Sequence, residues 1–200
     1  MGHLVNLIVE FGHYSYLILF LIIFFESFPL TFYLPGDSLL FTTGFLASQG
    51  YFNLGLLVTT LFIASVLGYI FSYVMGKKIR DFIINSNDRY WFKKKHLDQT
   101  AKFYDKYGHK TIIIGRFVPI VRSFAPTLAG SVEMPYGKFI RDVLVGGIIW
   151  TGGVTSLGYY IGRSIPSADH YLTPIILCII FISMLPSAFE YLKSRKENAN

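Results

Sequence analysis

Four ionisable side chains stand where hydrocarbon would not tolerate them alone: Glu26, Asp37, Arg116 and Arg122. Each lies in an apolar stretch interrupted by proline. At the centre of a membrane helix each costs about 2.5–3.5 kcal/mol, so four unpaired charges would cost roughly 10–14 kcal/mol. They must face one another or a wet cavity. Their signs are segregated, with both carboxylates in the first stretch and both guanidiniums in the second. Mutual pairing, tying the two stretches together, is one reading. The other gives the groups separate chemistry. A planar guanidinium matches a phosphate through two parallel hydrogen bonds. A carboxylate beside it can take up a proton and so release its arginine partner. Two arginines six residues apart face different sides of an unbroken helix, but a break at Pro119 lets Arg116 and Arg122 converge on one anion.

The prolines fall in a weak internal repeat. Glu26-Ser-Phe-Pro29 is followed by Pro35, Gly36 and Asp37; Arg116-Phe-Val-Pro119 is followed by Arg122, Pro126 and Gly130. Each block starts with a charge three residues before a proline, and four of the eight prolines lie in these two stretches. Proline removes a backbone donor and breaks helices. From Pro35 to Ser48 a helix would reach only about 20 Å, too short for a hydrocarbon core of about 30 Å. The pattern predicts two re-entrant helical hairpins, shaped by Pro29, Pro35, Gly36, Pro119, Pro126 and Gly130. Broken backbone at membrane depth is tolerated only inside protein or beside a water-filled cavity. Entry from opposite faces would make an inverted repeat with a site at its interface. Two kinked spanning helices are the alternative.

Composition supports a membrane setting. The chain has 200 residues, of which 15% are charged and 18% aromatic, with a mean hydropathy of +0.47. Soluble domains carry about 25% charged residues. A disordered chain and a water-soluble enzyme are both disfavoured. The expected fold is an all-α polytopic membrane protein, one membrane domain over 1–200. It divides into an N-terminal helix (1–25), hairpin 1 (26–50), a spanning helix (53–75), a basic loop (76–110), hairpin 2 (111–135), spanning helices at 143–162 and 171–192, and a tail (193–200). The loop 76–110 holds ten of the 18 Lys and Arg residues. By the positive-inside bias this loop and both termini face the cytoplasm, and the 46–53 turn faces outside. No cleaved signal is expected at the N-terminus, which has no Lys or Arg before the apolar run and carries Glu10.

Other features carry less. The lone Cys178 permits no intrachain disulfide, and the five scattered histidines form no metal-ligand pattern. No cofactor or metal is expected. Ala64, Gly68, Ser72 and Gly76 recur every four residues, as do Gly158 and Gly162. Such stripes suit a homodimer face or close packing within one chain. The basic segment 88–107, with Trp91, Phe92, Phe103 and Tyr104, suits an anionic inner leaflet or a solvated loop. A patch hemmed in by spans does not suit nucleic acid. Asp142 is read as a charge at the start of a span, beside Arg141.

Several blocks together resemble one family. They are Glu26, LPGDSLLFTTGFLA (34–47), FYDKYGHKTIIIGRFVPIVRSFAPTLAG (103–130), Gly147, Trp150 and GYYIG (158–162). In this order and spacing they are similar to the DedA family of bacterial membrane proteins, over about residues 16–163, with the VTT-domain lipid scramblases as relatives. The resemblance implies two oppositely inserted hairpins in a bacterial plasma membrane. It also implies lipid transport, with undecaprenyl phosphate, the carrier for cell-wall precursors, flipped back across the membrane. Movement of a phospholipid such as phosphatidylethanolamine, driven or by scrambling, is the alternative. It further implies that the family's functional Glu, Asp and two Arg correspond to Glu26, Asp37, Arg116 and Arg122. In that reading Arg116 and Arg122 bind lipid phosphate, while Glu26 and Asp37 couple protons or gate. No enzyme is expected: Asp-Gly and Gly-x-Ser-x-Gly are absent, as is a Ser-Gly-His phosphatase block. A non-transporting membrane chaperone or scaffold is the third possibility, in which the four charges matter for folding only.

Overall fold

The computed structural model describes residues 14–31, 36–85 and 111–164, and every regular element among them is helical. Helix α1 (Tyr14–Glu26) is followed by a 3-10 turn at Pro29–Thr31, then by α2 (Gly36–Ser48) and the long α3 (Leu54–Asn85). Residues 111–114 are helical and pass into a 3-10 turn, Gly115–Phe117. Then come α4 (Pro119–Ser131) and α5 (Tyr136–Ser164), which contains a π-helical turn at Ile148–Gly152. Pro35, residues 1–13, the basic segment 86–110, the expected span 171–192 and the tail lie outside the described residues.

Local chemistry sets the ends. The apolar run of α1 stops at Glu26, and the chain tightens through backbone bonds from Phe28 to Phe25 (3.0 Å) and from Thr31 to Phe28 (3.1 Å). Pro29 opens the 3-10 turn, where a missing N–H costs little. Gly50 takes φ +88° after α2, a left-handed conformation that closes helix ends cheaply only for glycine. Asn53 caps α3 by accepting the Leu56 N–H at 3.0 Å, and its own N–H donates to the Tyr16 hydroxyl at 2.9 Å, tying α3 to α1. After α4, Glu133 stands at φ 54°, its carboxylate 2.8 Å from Arg80 on α3.

Three expectations about boundaries are corrected. Helix α3 runs to Asn85, ten residues into the stretch read as loop, because Lys77, Lys78 and Arg80 are good helix formers that let it continue past its apolar part. Helix α5 begins at Tyr136, seven residues early, so Asp142 lies inside the helix and buried, with its carboxylate 3.2 Å from Arg141 Nε. Pro126 does not break its segment: α4 passes through it. The break is at Val118, which is extended (φ −115°, ψ 110°), and Pro119 starts the new helix at the position where proline is tolerated. Pro126 removes only the bond its N–H would have made to the Arg122 carbonyl.

The two long helices, α3 over Leu54–Asp81 and α5, have 28 and 29 residues and are apolar enough to cross a bilayer; they reach about 42–44 Å. Helices α2 and α4, like α1, have 13 residues each and reach only about 20 Å. Both α2 and α4 lie against the C-terminal half of a long helix through glycine. In α2 and α5, Gly44 meets the Thr155 carbonyl, Gly158 meets the Phe41 carbonyl and Gly162 meets Ser48. In α3 and α4, Gly76 meets the Thr127 carbonyl and Gly130 meets the Tyr73 carbonyl. A Cβ at any of these would overlap its neighbour. The small-residue stripe of α3 is used within the chain as well. Gly68 faces the Phe24 carbonyl and Ser27, and the Ser72 hydroxyl donates to the Ser27 carbonyl at 2.8 Å. Leu56, Ile63, Leu67, Phe71 and Val74 form the outward, exposed side of α3.

Close glycine packing makes a direct prediction. Gly158→Leu should destabilise the protein by about 1–3 kcal/mol or more through overpacking, lowering the thermal midpoint in detergent. Gly137→Ala, where an added Cβ meets nothing within 4 Å, should change stability by no more than about 0.5 kcal/mol.

Candidate functional site

The break between α1 and α2 leaves Glu26 as the last residue of one helix and Gly36 and Asp37 as the first two of the next. Both carboxylates therefore point back at a single place. Helix α4 is held there by its first turns, with the Ser123 hydroxyl donating to the Glu26 carbonyl at 3.1 Å. This brings Arg122 between the two acids. Its Nη2 pairs with Glu26 Oε1, and its Nη1 donates to Asp37 Oδ1 at 3.0 Å. The Gly36 N–H also donates to Glu26 Oε1, at 2.9 Å. Glycine is required at this point: a Cβ on Gly36 would occupy the space of the Glu26 carboxylate.

Helix α5 supplies the fourth partner. The Trp150 indole N–H donates to the same Asp37 Oδ1 at 2.7 Å. The ring centre lies 4.9 Å from the Arg122 guanidinium carbon, in cation–π range. Trp150 is fully buried and sits on the π-helical turn. Such turns recur at functional sites because the extra residue re-aims side chains. Gly146 and Gly147 precede the turn, and Gly153 follows it.

Arg116 has different company. It is 0% exposed. Its guanidinium carbon lies 3.8 Å from the centre of the Tyr69 ring on α3. Nη1 donates to Ser65 Oγ at 3.3 Å and Nη2 to the Val143 carbonyl at 3.2 Å. Among the described residues no carboxylate forms an ion pair with it, and its Nε finds no hydrogen-bond partner. Gly146 gives its side chain room, since a Cβ there would stand 3.1 Å from Arg116 Cδ. The Tyr69 hydroxyl is buried without a partner among the described residues, within electrostatic reach of all four charged groups.

The structure thus gathers Glu26, Asp37 and Arg122 directly and puts Arg116 on a separate footing beside them. The two guanidiniums share no protein partner among the described residues. The reason is the 3-10 turn Gly115–Phe117, which sends Arg116 toward α3 and α5 before the break at Val118 starts α4. Of the expected shaping residues, Pro29 opens a turn, Gly36 admits Glu26, Pro119 starts α4 and Gly130 packs on α3. Pro35 lies outside the described residues. Sequence reasoning missed Ser65 and Tyr69. Their one signal was a hydroxyl pair four residues apart in a span without charge. The cluster lies at mid-height of the long helices: Trp150 is the central residue of α5, and Tyr69 is near the middle of Leu54–Asp81.

The VTT domain family matches residues 34–160, a stretch holding Asp37, Tyr69, Arg116, Arg122 and Trp150. Protein DedA of Escherichia coli strain K12 is 38% identical over 200 residues, covering 98% of this chain and 91% of that protein. The chain belongs to the DedA family. Further relatives include an uncharacterized membrane protein of Mycobacterium tuberculosis strain H37Rv, 40% identical over 172 residues and covering 84% of this chain and 74% of that protein. Inner membrane protein YqjA of Escherichia coli strain K12 is 29% identical over 182 residues, covering 87% and 79%. No solved structure matches the chain. With two helices able to cross a bilayer and relatives named as membrane proteins, this DedA-family chain is an all-α membrane protein.

The geometry separates the two arginines energetically. Arg122→Met leaves two carboxylates without their cation and should cost about 3–5 kcal/mol. Adding Glu26→Gln should recover part of that loss, giving a coupling energy of at least about 0.5 kcal/mol in a double-mutant cycle. Arg116→Met strands no carboxylate and should cost less. Unfolding in mild detergent checks both orderings.

Proposed function

We propose that this protein is a lipid-phosphate transporter of the plasma membrane, that it returns undecaprenyl phosphate for reuse in cell-wall synthesis, and that proton movement is coupled to transport. One observation carries the reading. Arg116 is a fully buried guanidinium with no carboxylate partner among the described residues, while the neighbouring Arg122 has two. A buried guanidinium with no anion in direct contact is expensive, and an external anion is the group that can complete it. A phosphate suits two guanidiniums at hydrogen-bonding range. Arg122 can join Arg116 on that anion only by leaving its acids, which makes their protonation a natural coupling step.

In this reading the first re-entrant hairpin is α1 and α2, not residues 26–50 alone, because Tyr16 at the start of α1 bonds to Asn53 at the outer end of α3 while Phe24 and Ser27 meet Gly68 and Ser72 at mid-height; residues 111–135 form the second. Helix α2 dips from outside along the outer half of α5, and α4 dips from the cytoplasm along the inner half of α3. Their breaks meet at mid-depth, where Glu26, Asp37, Arg116 and Arg122 lie. The basic loop and the C-terminus face the cytoplasm, whereas α1 starts on the outer side, where Tyr16 meets Asn53. The head group crosses through this cluster while the polyprenyl tail stays in lipid, which suits a small protein with a long substrate. The choice of undecaprenyl phosphate over a glycerophospholipid rests on DedA-family membership, since the site chemistry is common to both.

Flipping in proteoliposomes tests the proposal. Undecaprenyl phosphate and phosphatidylethanolamine are offered separately, with and without a pH gradient. Wild type should flip the polyprenyl phosphate, faster with the gradient. Folded Arg116→Ala and Arg122→Ala should each lose about 30-fold or more, the effect of removing one partner of a buried charged contact. Flipping of both lipids regardless of gradient would make the protein a scramblase. No flipping by folded wild type would point to a scaffold.

A further inference from the structure

Arg122, Trp150 and Asp37 form a triangle in which two donors share one acceptor atom. Asp37 Oδ1 accepts from Arg122 Nη1 at 3.0 Å and from Trp150 Nε1 at 2.7 Å. The face of the same indole underlies the guanidinium. Glu26 is built differently. Its Oε1 accepts from the Gly36 N–H and from Arg122, while its Oε2 is buried with no hydrogen-bond partner among the described residues. The Glu26 side chain is 2% exposed and that of Asp37 is 23% exposed.

Suppose Arg122 turns to a phosphate. Asp37 then keeps the indole bond and its access to water. Glu26 keeps one backbone N–H on Oε1 and nothing on Oε2. A buried carboxylate oxygen with no donor is the costlier ion. Charge balance points the same way. Among the described residues, the charges that meet at the cluster are Glu26, Asp37, Arg116 and Arg122, which sum to zero, with Tyr69 and Trp150 neutral beside them. A singly charged phosphate would leave the cluster one negative charge in excess, and one proton restores neutrality.

We propose that Trp150 is a positioning residue that frees Arg122 for the phosphate by remaining on Asp37 as its donor, and that the exchanged proton is carried on Glu26 Oε2. The inference rests on the phosphate reading above and adds which acid takes the proton and what permits it. The proton comes from water on the side where the head group enters. One O–H bond forms at Oε2. It breaks when Arg122 returns to Glu26, and the proton passes to water on the far side. Throughout, the π-helical turn of α5 keeps the indole aimed at Asp37, and Arg122 moves across the ring face without losing it.

Infrared difference spectra of the full chain in nanodiscs, with and without undecaprenyl phosphate, test this directly. Binding should raise a carbonyl stretch of a protonated carboxyl group in wild type and in Asp37→Asn. The band should be lost in Glu26→Gln and shifted in Glu26→Asp. Trp150→Phe keeps the ring but removes the donor, so it should add a second carboxyl band that Asp37→Asn abolishes and that Trp150→His, which restores an N–H, suppresses. A band that survives Glu26→Gln and disappears in Asp37→Asn overturns the proton assignment. A Trp150→Phe spectrum identical to wild type overturns the role of Trp150. If Trp150→Phe does not fold, the Glu26 and Asp37 spectra still decide the assignment. A wild type that binds the lipid without any carboxyl band overturns the inference and leaves the phosphate reading standing. A folded wild type that shows no lipid binding overturns that reading itself, and with it this inference.

Discussion

A charge removed from water must be answered by another charge or by fixed dipoles. In this protein that requirement centres on Arg122. Its guanidinium is held between Glu26 and Asp37, so the two ends of a broken helical segment are fastened to the start of α4. The glycine at position 36 follows from the same pairing, because the Glu26 carboxylate occupies the space a side chain there would need. The position of Arg116, buried among neutral partners with no carboxylate in contact among the described residues, gains its meaning by contrast. One cation is fastened to two acids, and the other rests on a hydroxyl, a carbonyl and a ring.

Packing makes this arrangement attainable. Helices of 13 residues cannot cross a bilayer, and lipid gives helices little hydrophobic reason to associate. Backbone contact through glycine replaces that driving force. Gly44, Gly158 and Gly162 seat α2 on α5, and Gly76 and Gly130 seat α4 on α3. Each short helix is thereby fixed along half of a long one, with its broken end at mid-height. The two halves of the molecule use the same device with different residues, and the charges lie where the two devices meet.

Much of this was legible in the sequence. Charges three residues ahead of prolines marked Glu26 and Arg116, and the reach of a helix from Pro35 to Ser48 set a length no spanning helix could have. Other features were not legible, for physical reasons. Pro126 looked like a break, yet a single lost bond at the Arg122 carbonyl is tolerated within a packed α4. The C-terminal end of α3 and the start of α5 lie beyond the expected bounds because hydropathy marks where lipid contact stops, while the helix goes on. The partition of partners was hidden because it depends on the tertiary path: the 3-10 turn Gly115–Phe117 directs Arg116 to Tyr69 and Ser65. Trp150 stood out in the sequence only through family resemblance, since no periodicity announces a π-helical turn.

The claim on which the account turns is that Arg116 stands ready for an external phosphate while Arg122 fastens the acids. Phosphorus NMR of undecaprenyl phosphate in nanodiscs containing the folded protein measures this without requiring transport. A distinct bound resonance with wild type, absent with folded Arg116→Met, is the predicted result. A bound resonance that persists unchanged in Arg116→Met would contradict it.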